Sequence, residues 1–232
     1  MEARLEMWGR SEAKIEDAIN FTATTAGGKV IISFDSGDPT WKWSDKDVFY
    51  QKIFIKINPN AIAEYDIITT TGSINLDFDS LTESEILKLD VAVTTGSIDA
   101  DFGDNTFLNT TEVSLVTTTG SIDVISQKVK FGNDIYWTIT TTTGSIDLTV
   151  NQIIIPSDNY VATYDATTNT GSIDLLYTLD ENDFGIRITA QTTTGSIGIP
   201  GGGNLYESTD YALKLIKYIF DLDTTTGSIS AS

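Results

Sequence analysis

The sequence contains no cysteine and no histidine in its 232 residues. The absence of cysteine excludes disulfides, thiolate metal sites and a cysteine nucleophile, although it does not identify the cellular compartment. The absence of histidine excludes Ser-His-Asp and Cys-His catalysis and nearly all zinc sites. Most of the common catalytic and metal-binding residue sets are therefore excluded.

Positive charge is also scarce. The chain has 14 lysines and arginines against 33 aspartates and glutamates, which gives a formal net charge of −19. A surface of this charge repels nucleic acid and anionic membranes, because binding to phosphate requires neutralisation by lysine and arginine. We therefore expect no nucleic-acid partner.

Long apolar runs are missing as well. No run reaches 18 apolar residues, so no transmembrane helix is predicted. The first 20 residues mix acidic and basic side chains and lack the apolar core of a secretory signal. As written, the chain would be cytoplasmic, and a place at the cell surface would require a signal that has been removed.

The sequence does contain a repeat. A seven-residue signature close to TTTGSID occurs seven times, and its glycines are separated by 24, 24, 24, 27, 24 and 32 residues. Self-similarity at a nearly fixed period is typical of repeat architectures. We expect these glycines to form structural turns. They are Gly72, Gly96, Gly120, Gly144, Gly171, Gly195 and Gly227.

Each copy alternates apolar and polar residues on both sides of its glycine. In the copy around Gly120, Ile122 and Val124 are apolar and Asp123 between them is charged. Alternation at period two predicts a half-buried strand. One strand should therefore enter each glycine and another should leave it, with the glycine at a corner that needs positive φ or close backbone approach.

A unit of 24 residues is too short for a propeller blade, which takes about 40–45 residues, and it suits one turn of a solenoid. We predict an all-β fold, a parallel β-solenoid (single-stranded β-helix), over residues 61–232 as one continuous domain. Residues 1–60 are predicted to form an irregular N-terminal cap and first turns, because solenoid ends need capping. An antiparallel sandwich with similar strands is the alternative fold.

The TTTGSID pattern, with an aromatic or aliphatic residue seven positions before the glycine, resembles the putative-adhesin family of bacteria and archaea. The resemblance covers about residues 60–232, with a degenerate copy at Thr24–Val30 (TTAGGKV). It implies a single-stranded β-solenoid, often linked to cell envelopes or surfaces. It supplies no catalytic residues.

An acidic ladder is the sharpest candidate site. If the turns stack about 4.8 Å apart, aspartates at equivalent positions repel each other, and a bound Ca²⁺ would relieve that repulsion. The alternative is a solvated acidic edge that prevents sideways aggregation. We predict no other cofactor. The four aspartates are Asp99, Asp123, Asp147 and Asp174.

The last signature glycine, Gly227, lies five residues before Ser232. If the turns stack in chain order, this last turn is an open end that needs covering by another copy, a partner or a segment that folds back. We therefore predict a non-enzymatic structural or adhesive protein that self-assembles or binds a protein or surface partner through its ends. The alternative is a β-helix that binds or cleaves carbohydrate through the acidic ladder.

Overall fold

The computed structural model describes residues 2–8, 20–26, 29–35, 50–56, 62–78, 84–103, 106–152 and 159–232. The chain forms two compact units, Met1–Asn58 and Pro59–Ser232. In the first unit, β1 (Glu2–Trp8) pairs antiparallel with β4 (Tyr50–Lys56). In the same unit, β2 (Asn20–Ala26) pairs antiparallel with β3 (Lys29–Asp35).

The hairpin of β2 and β3 corrects one sequence prediction. Thr24–Val30 resembles a degenerate signature, yet Ala26 pairs with Lys29 in an antiparallel register, so this segment is a hairpin and not a solenoid turn. The sequence between the two strands is Gly-Gly, a pair that is typical of two-residue hairpin connections. The capping role predicted for residues 1–60 stays a prediction.

The second unit contains the repeats, and its strands fall into two groups around each signature glycine. Strands that enter a glycine are β5 (Ile62–Thr71), β7 (Ser84–Thr95), β10 (Glu112–Thr119), β13 (Ile135–Thr143), β15 (Val161–Thr170), β17 (Gly185–Thr194) and β20 (Lys217–Thr226). Strands that leave one are β6 (Ile74–Asp77), β8 (Ile98–Phe102), β11 (Ile122–Gln127), β14 (Ile146–Gln152), β16 (Ile173–Leu179), β18 (Ile197–Gly198) and β21 (Ile229–Ala231). Short strands β9 (Thr106–Leu108), β12 (Lys130–Phe131) and β19 (Leu205–Glu207) complete the unit.

Each entering strand and the leaving strand after it form one turn, which we call a rung and number 1 to 7 in chain order. Neighbouring rungs pair in parallel, and equivalent residues are opposite each other: Ile122 of rung 3 faces Ile98 of rung 2 and Ile146 of rung 4. The entering strands form one sheet and the leaving strands form a second, seven-stranded sheet. The predicted parallel β-solenoid with turns of about 24 residues is confirmed.

The rungs do not stack in chain order. In both sheets the order is 1-2-3-4-5-7-6, because β20 lies between β15 and β17, and β21 lies between β16 and β18. The prediction that the last turn is the open end of the stack is therefore wrong. Rung 7 is internal, and rung 6 is the end.

Side-chain sizes explain why rung 7 fits between rungs 5 and 6. Leu222 pairs with Ala166 on one side and with Ala190 on the other, so a large side chain lies between two small ones. Chain order would place the two alanines next to each other and leave space in the core, which costs packing energy. Alternation of large and small residues fills that space.

Aromatic stacking follows the same order. The ring of Phe220 stacks on Tyr164, 5.3 Å between centroids, and Tyr164 stacks on Trp137 at 5.1 Å. Chain order would put Ile188 of rung 6 next to Tyr164 and would interrupt this column. Offset-stacked aromatic pairs add about 0.5–1.5 kcal/mol each beyond their burial.

The insertion before rung 7 forms its own small structure. After rung 6, the chain makes a turn through Gly201–Gly203, and β19 then pairs antiparallel with Arg187–Thr189 of β17. A short 3-10 helix, Tyr211–Leu213, leads into β20. β20 contains Phe220, seven residues before the last signature glycine. The three residues added in the step from Gly144 to Gly171, near Pro156, lie outside the described residues.

Candidate functional site

The signature glycines form the corners between the entering and the leaving strands. Gly120 has φ of +146° and Gly144 has φ of +149°, values that side-chain-bearing residues rarely adopt. A Cβ on Gly144 would lie 2.1 Å from the carbonyl oxygen of Gly120, so there is no room for one. Only glycine lets the corners pack this closely, and the same arrangement recurs from rung 2 onward.

A threonine hydroxyl ties each of these corners to the rung beside it. Thr117 Oγ1 donates a hydrogen bond of 2.9 Å to the carbonyl oxygen of Gly96 and is 1% exposed. The donors lie three residues before their own glycine, and rung 2 has Val93 at that position. The other pairs are Thr141 to Gly120 at 2.9 Å, Thr168 to Gly144 at 3.0 Å, Thr192 to Gly227 at 3.1 Å and Thr224 to Gly171 at 3.0 Å.

The four predicted aspartates form one continuous row on the outer face of the leaving sheet. Asp123 pairs in register with Asp99 and Asp147, and Asp147 pairs with Asp174. All four are exposed. Asn75 continues the row on rung 1. We call Asp99, Asp123, Asp147 and Asp174 the acidic ladder.

Crowding within the acidic ladder shifts the inner pKa values. Partial burial, followed by the charge of Asp99, raises the pKa of Asp123. Partial burial, followed by the charges of Asp174 and Asp123, raises the pKa of Asp147. The two inner carboxylates are therefore less favourable as anions than ordinary surface aspartates.

Two aspartates of the ladder line a shallow depression, together with residues that lie two positions further along the same strands. Asp101 and Ile125 border it beside Asp99 and Asp123. Within the part of the chain that the structure describes, no three acidic side chains are arranged to hold one metal ion. A calcium site at the ladder therefore stays a prediction, and solution experiments are needed to test it.

The sequence analysis missed a second acidic row, on the entering sheet, in which Ser114 and Thr138 separate two pairs of aspartates. Asp66 pairs in register with Asp90, and Lys88 lies 3.9 Å from the first and 3.6 Å from the second. Further along, Asp165 pairs with Asp221 and accepts a 2.6 Å hydrogen bond from Tyr136. That hydrogen bond is the largest cause that raises the pKa of Tyr136 to about 12, and burial and the charges of neighbouring aspartates add to it. The alternation of polar residues on this strand was the available signal.

The pKa values of both inner carboxylates of the ladder are raised, and the largest cause is the same for both, namely partial burial. General acid–base chemistry depends on two groups whose surroundings push their pKa values apart. Asp123 and Asp147 share one environment, repeated by the register of the strands. This geometry favours a uniform charged surface over an acid–base pair.

Rung 6 forms the described end of the stack. The outer edge of β17 is covered from Ile186 to Ala190 by the β19 segment, whose contacts include an ion pair of 2.8 Å between Arg187 Nε and Glu207 Oε1. Beyond Ala190 this edge continues to β18, for which the described residues show one strand partner, β21. Three exposed leucines lie in the segment after β18: Leu205, Leu213 and Leu215.

None of the described segments includes a helix with the length and apolar character needed to cross a membrane. No family model and no curated protein matches the chain. The crystal structure of a putative cell adhesion protein from Clostridium sporogenes is similar, with 11% identity and a TM-score of 0.42 over 99% of this chain and 81% of that chain. This likeness is too distant to transfer a function.

Proposed function

We propose that this protein is a non-enzymatic structural or adhesive element that binds a basic protein or surface through its acidic faces and self-associates at the end of its stack. The observation that carries the proposal is the uninterrupted acidic ladder, which repeats one functional group at the spacing of the strands. Such a face offers many equivalent weak contacts, and many linked contacts produce high avidity.

The negative charge of this protein supports the proposal that its partner is basic. The acidic ladder and the second acidic row lie on the outer faces of the two sheets, and the whole chain has a net charge of −19. Complementary charge speeds encounter and disfavours partners of the same sign, so nucleic acid is a poor candidate. The repulsion within the ladder would decrease when lysine or arginine side chains approach it.

The part of the rung 6 edge for which the described residues show no second strand partner supports self-association. An unpaired strand edge presents N–H and C=O groups that can pair with another strand. At Ile197 and Gly198 this edge is short, and Ile197 is half-buried. A second copy of the chain, which contains strands of the same pattern, is the partner that fits this edge.

The binding proposal can be tested with a lysine-coated surface and two matched double variants. D123N/D147N removes two charges from the ladder, whereas D183N/D210N removes two exposed charges outside it. We expect the ladder variant to bind more weakly than the control variant at low salt, with the difference decreasing at 0.15 M salt as screening sets in. Equal weakening of both would contradict a specific role for the ladder.

Self-association can be tested by negative-stain electron microscopy over a concentration series. We expect short rods that join end to end as the concentration rises. Isolated rods at every concentration would contradict the assembly part of the proposal. A glycan array and a polysaccharide digestion assay test the carbohydrate alternative, and a positive result in either would replace the adhesive reading.

A further inference from the structure

The position of rung 7 creates an unusual slot in this fold. Rungs 5 and 6 are consecutive in the chain, yet both of their facing edges pair with rung 7. Tyr164 and Ile188 meet Phe220 from opposite sides, and Asp174 and Gly198 both face Ser230. We call the space between rungs 5 and 6 the slot, and it is filled by Lys217–Ser232.

The slot selects its occupant by backbone and side-chain pattern. Gly171 and Ile173 donate backbone hydrogen bonds to Thr226 and Ser228 of rung 7, each 3.0 Å long. An empty slot would leave two facing rows of backbone groups without partners, which is costly where water is excluded. A second TTTGSI segment in the same register would satisfy both rows.

Two buried contacts show which of the seven signature segments fits the slot. The hydroxyls of Tyr160 and Tyr218 are 2.6 Å apart and buried. Leu222 fills the space between the two alanines of rungs 5 and 6. Among the seven copies, Gly227 is the one preceded at seven and five residues by Phe220 and Leu222 and at nine by Tyr218. The matching segment is therefore rung 7 itself, in the same chain or in another copy.

The segment that joins rung 6 to rung 7 allows rung 7 to fill the slot of its own chain or the slot of another copy. It runs over residues 199–216, and its last part, residues 209–215, spans up to about 25 Å at full extension. Ile199 and Ser208 are buried and β19 pairs with β17, so residues 199–208 are held to rung 6. Leu213 and Leu215 lie after this part and are 78% and 70% exposed, so little apolar packing would be lost if residues 209–215 straightened. The contacts inside the slot are the same whichever chain supplies rung 7.

We propose that rung 7 exchanges between two copies of this chain, so that the slot of each copy is filled by Lys217–Ser232 of the other. This inference rests on the self-association proposed above, and it specifies a closed assembly of two copies. Reciprocal exchange produces a two-fold symmetric dimer, whereas head-to-tail pairing of the rung 6 edge with a different edge of the next copy adds copies without limit. The two modes therefore differ in which residues become neighbours between chains.

The experiment uses full-length chains with single cysteines, which are unambiguous because the chain has none of its own. Asp174 and Ser230 face each other across neighbouring strands, in exposed positions joined by a hydrogen bond. Strands about 4.8 Å apart are within the range that a disulfide bridges. D174C protein is mixed with S230C protein that carries a size tag, then incubated and oxidised mildly.

We expect a covalent heterodimer whose yield rises with time and concentration and exceeds severalfold the yield of a control mixture of D174C with tagged D183C. Asp183 is exposed and lies outside the slot. Equal yields in the two mixtures would overturn the exchange. Reduced variants are first compared with the parent protein by thermal melting, so that a folding defect is recognised.

Two double variants check the slot within one chain. D174C/S230C should form a disulfide within the chain at low concentration and between chains as the exchanged dimer forms. D174C/G198C should form neither, because those positions are two strand spacings, or about 9.6 Å, apart. A disulfide in the second variant alone would show stacking in chain order and overturn the inference. End-to-end rods without the 174–230 link between chains would overturn exchange alone, whereas linked dimers without rods would overturn edge pairing alone.

Discussion

Thr141 donates its hydroxyl hydrogen to the carbonyl oxygen of Gly120 on the neighbouring rung, at 2.9 Å, from a position that is 1% exposed. The bond joins two rungs through a side chain, in addition to the backbone ladder between them. Because the same geometry recurs along the stack, single substitutions in this row should report directly on how the corners are held.

Replacing Thr141 with valine should destabilise the protein. Valine keeps the shape but leaves the Gly120 carbonyl without its hydroxyl donor, which costs about 1–3 kcal/mol for a buried group. For a chain of this size that is a melting temperature lower by about 2–12 °C. Thermal melting followed by circular dichroism measures it.

Thr140→Val is the matched control, because Thr140 lies on the same strand but on the outer, half-buried row, opposite Val116. It should change stability by less than about 0.5 kcal/mol. Equal effects of the two substitutions would mean that the corner hydrogen bond contributes little.

Replacing Val93 with threonine should have the opposite effect. Rung 2 has valine where other rungs have the donor, so the substitution adds a hydroxyl that can reach the carbonyl of Gly72. Because Gly72 is exposed, water competes for that oxygen, and the gain should be near the lower end of the usual range, about 0.5 kcal/mol. Urea unfolding of parent and variant measures the difference. A loss of stability would show that the hydroxyl is buried without a partner.

Acid should stabilise the acidic ladder. The pKa values of Asp123 and Asp147 are raised in the folded protein, so the folded state binds their protons more readily than the unfolded chain. The stability from these protons is full below the ordinary pKa of 3.8 and is lost as pH rises through the raised values. Asp147→Asn should therefore raise the melting temperature at pH 7 by about 1–3 °C, as expected for relief of a like-charge neighbour pair.

The same substitution should flatten the rise in melting temperature as pH falls from 7 towards 4. Asp183→Asn removes the same charge at an exposed site outside the ladder and serves as the reference. If both variants show the same pH profile, the effect belongs to the net charge and not to the ladder.

Calcium provides a separate test of the ladder as a cation site. If Ca²⁺ bridges neighbouring carboxylates, millimolar CaCl₂ should raise the melting temperature because binding to the folded state alone stabilises it. NaCl at matched ionic strength should raise it less, and the difference should decrease in D123N/D147N. No shift, or equal shifts with both salts, would leave the ladder as a solvated acidic edge.

The strands, the corners and the positions of the outward aspartates could be predicted because they depend on local alternation. In the copy around Gly120, the parity of Ile122, Asp123 and Val124 determines which side chains point inward. On the entering side of the same glycine, the alternation that buries Val113 and Leu115 also places Thr117 in the inward row. A threonine in an otherwise apolar row was a signal of a backbone hydrogen bond that the sequence analysis did not use.

The order of the rungs could not be predicted from the signature, because all seven copies present the same backbone pattern to their neighbours. The information lies in side chains that differ between copies. Ala166 and Ala190 are small at the same position of consecutive copies, and Leu222 is large at that position. Only a comparison of core volumes across non-adjacent copies would have placed rung 7 between rungs 5 and 6.

Rung 7 also determines how the solenoid responds to tension. In a stack built in chain order, a force on the last turn peels it from one neighbour, and each turn is then released in sequence. Here a force applied at β21 must break the ladders with β16 and β18, on both sides of one strand. The final segment of the chain therefore acts as a mechanical clamp, and rupture should begin elsewhere in the molecule.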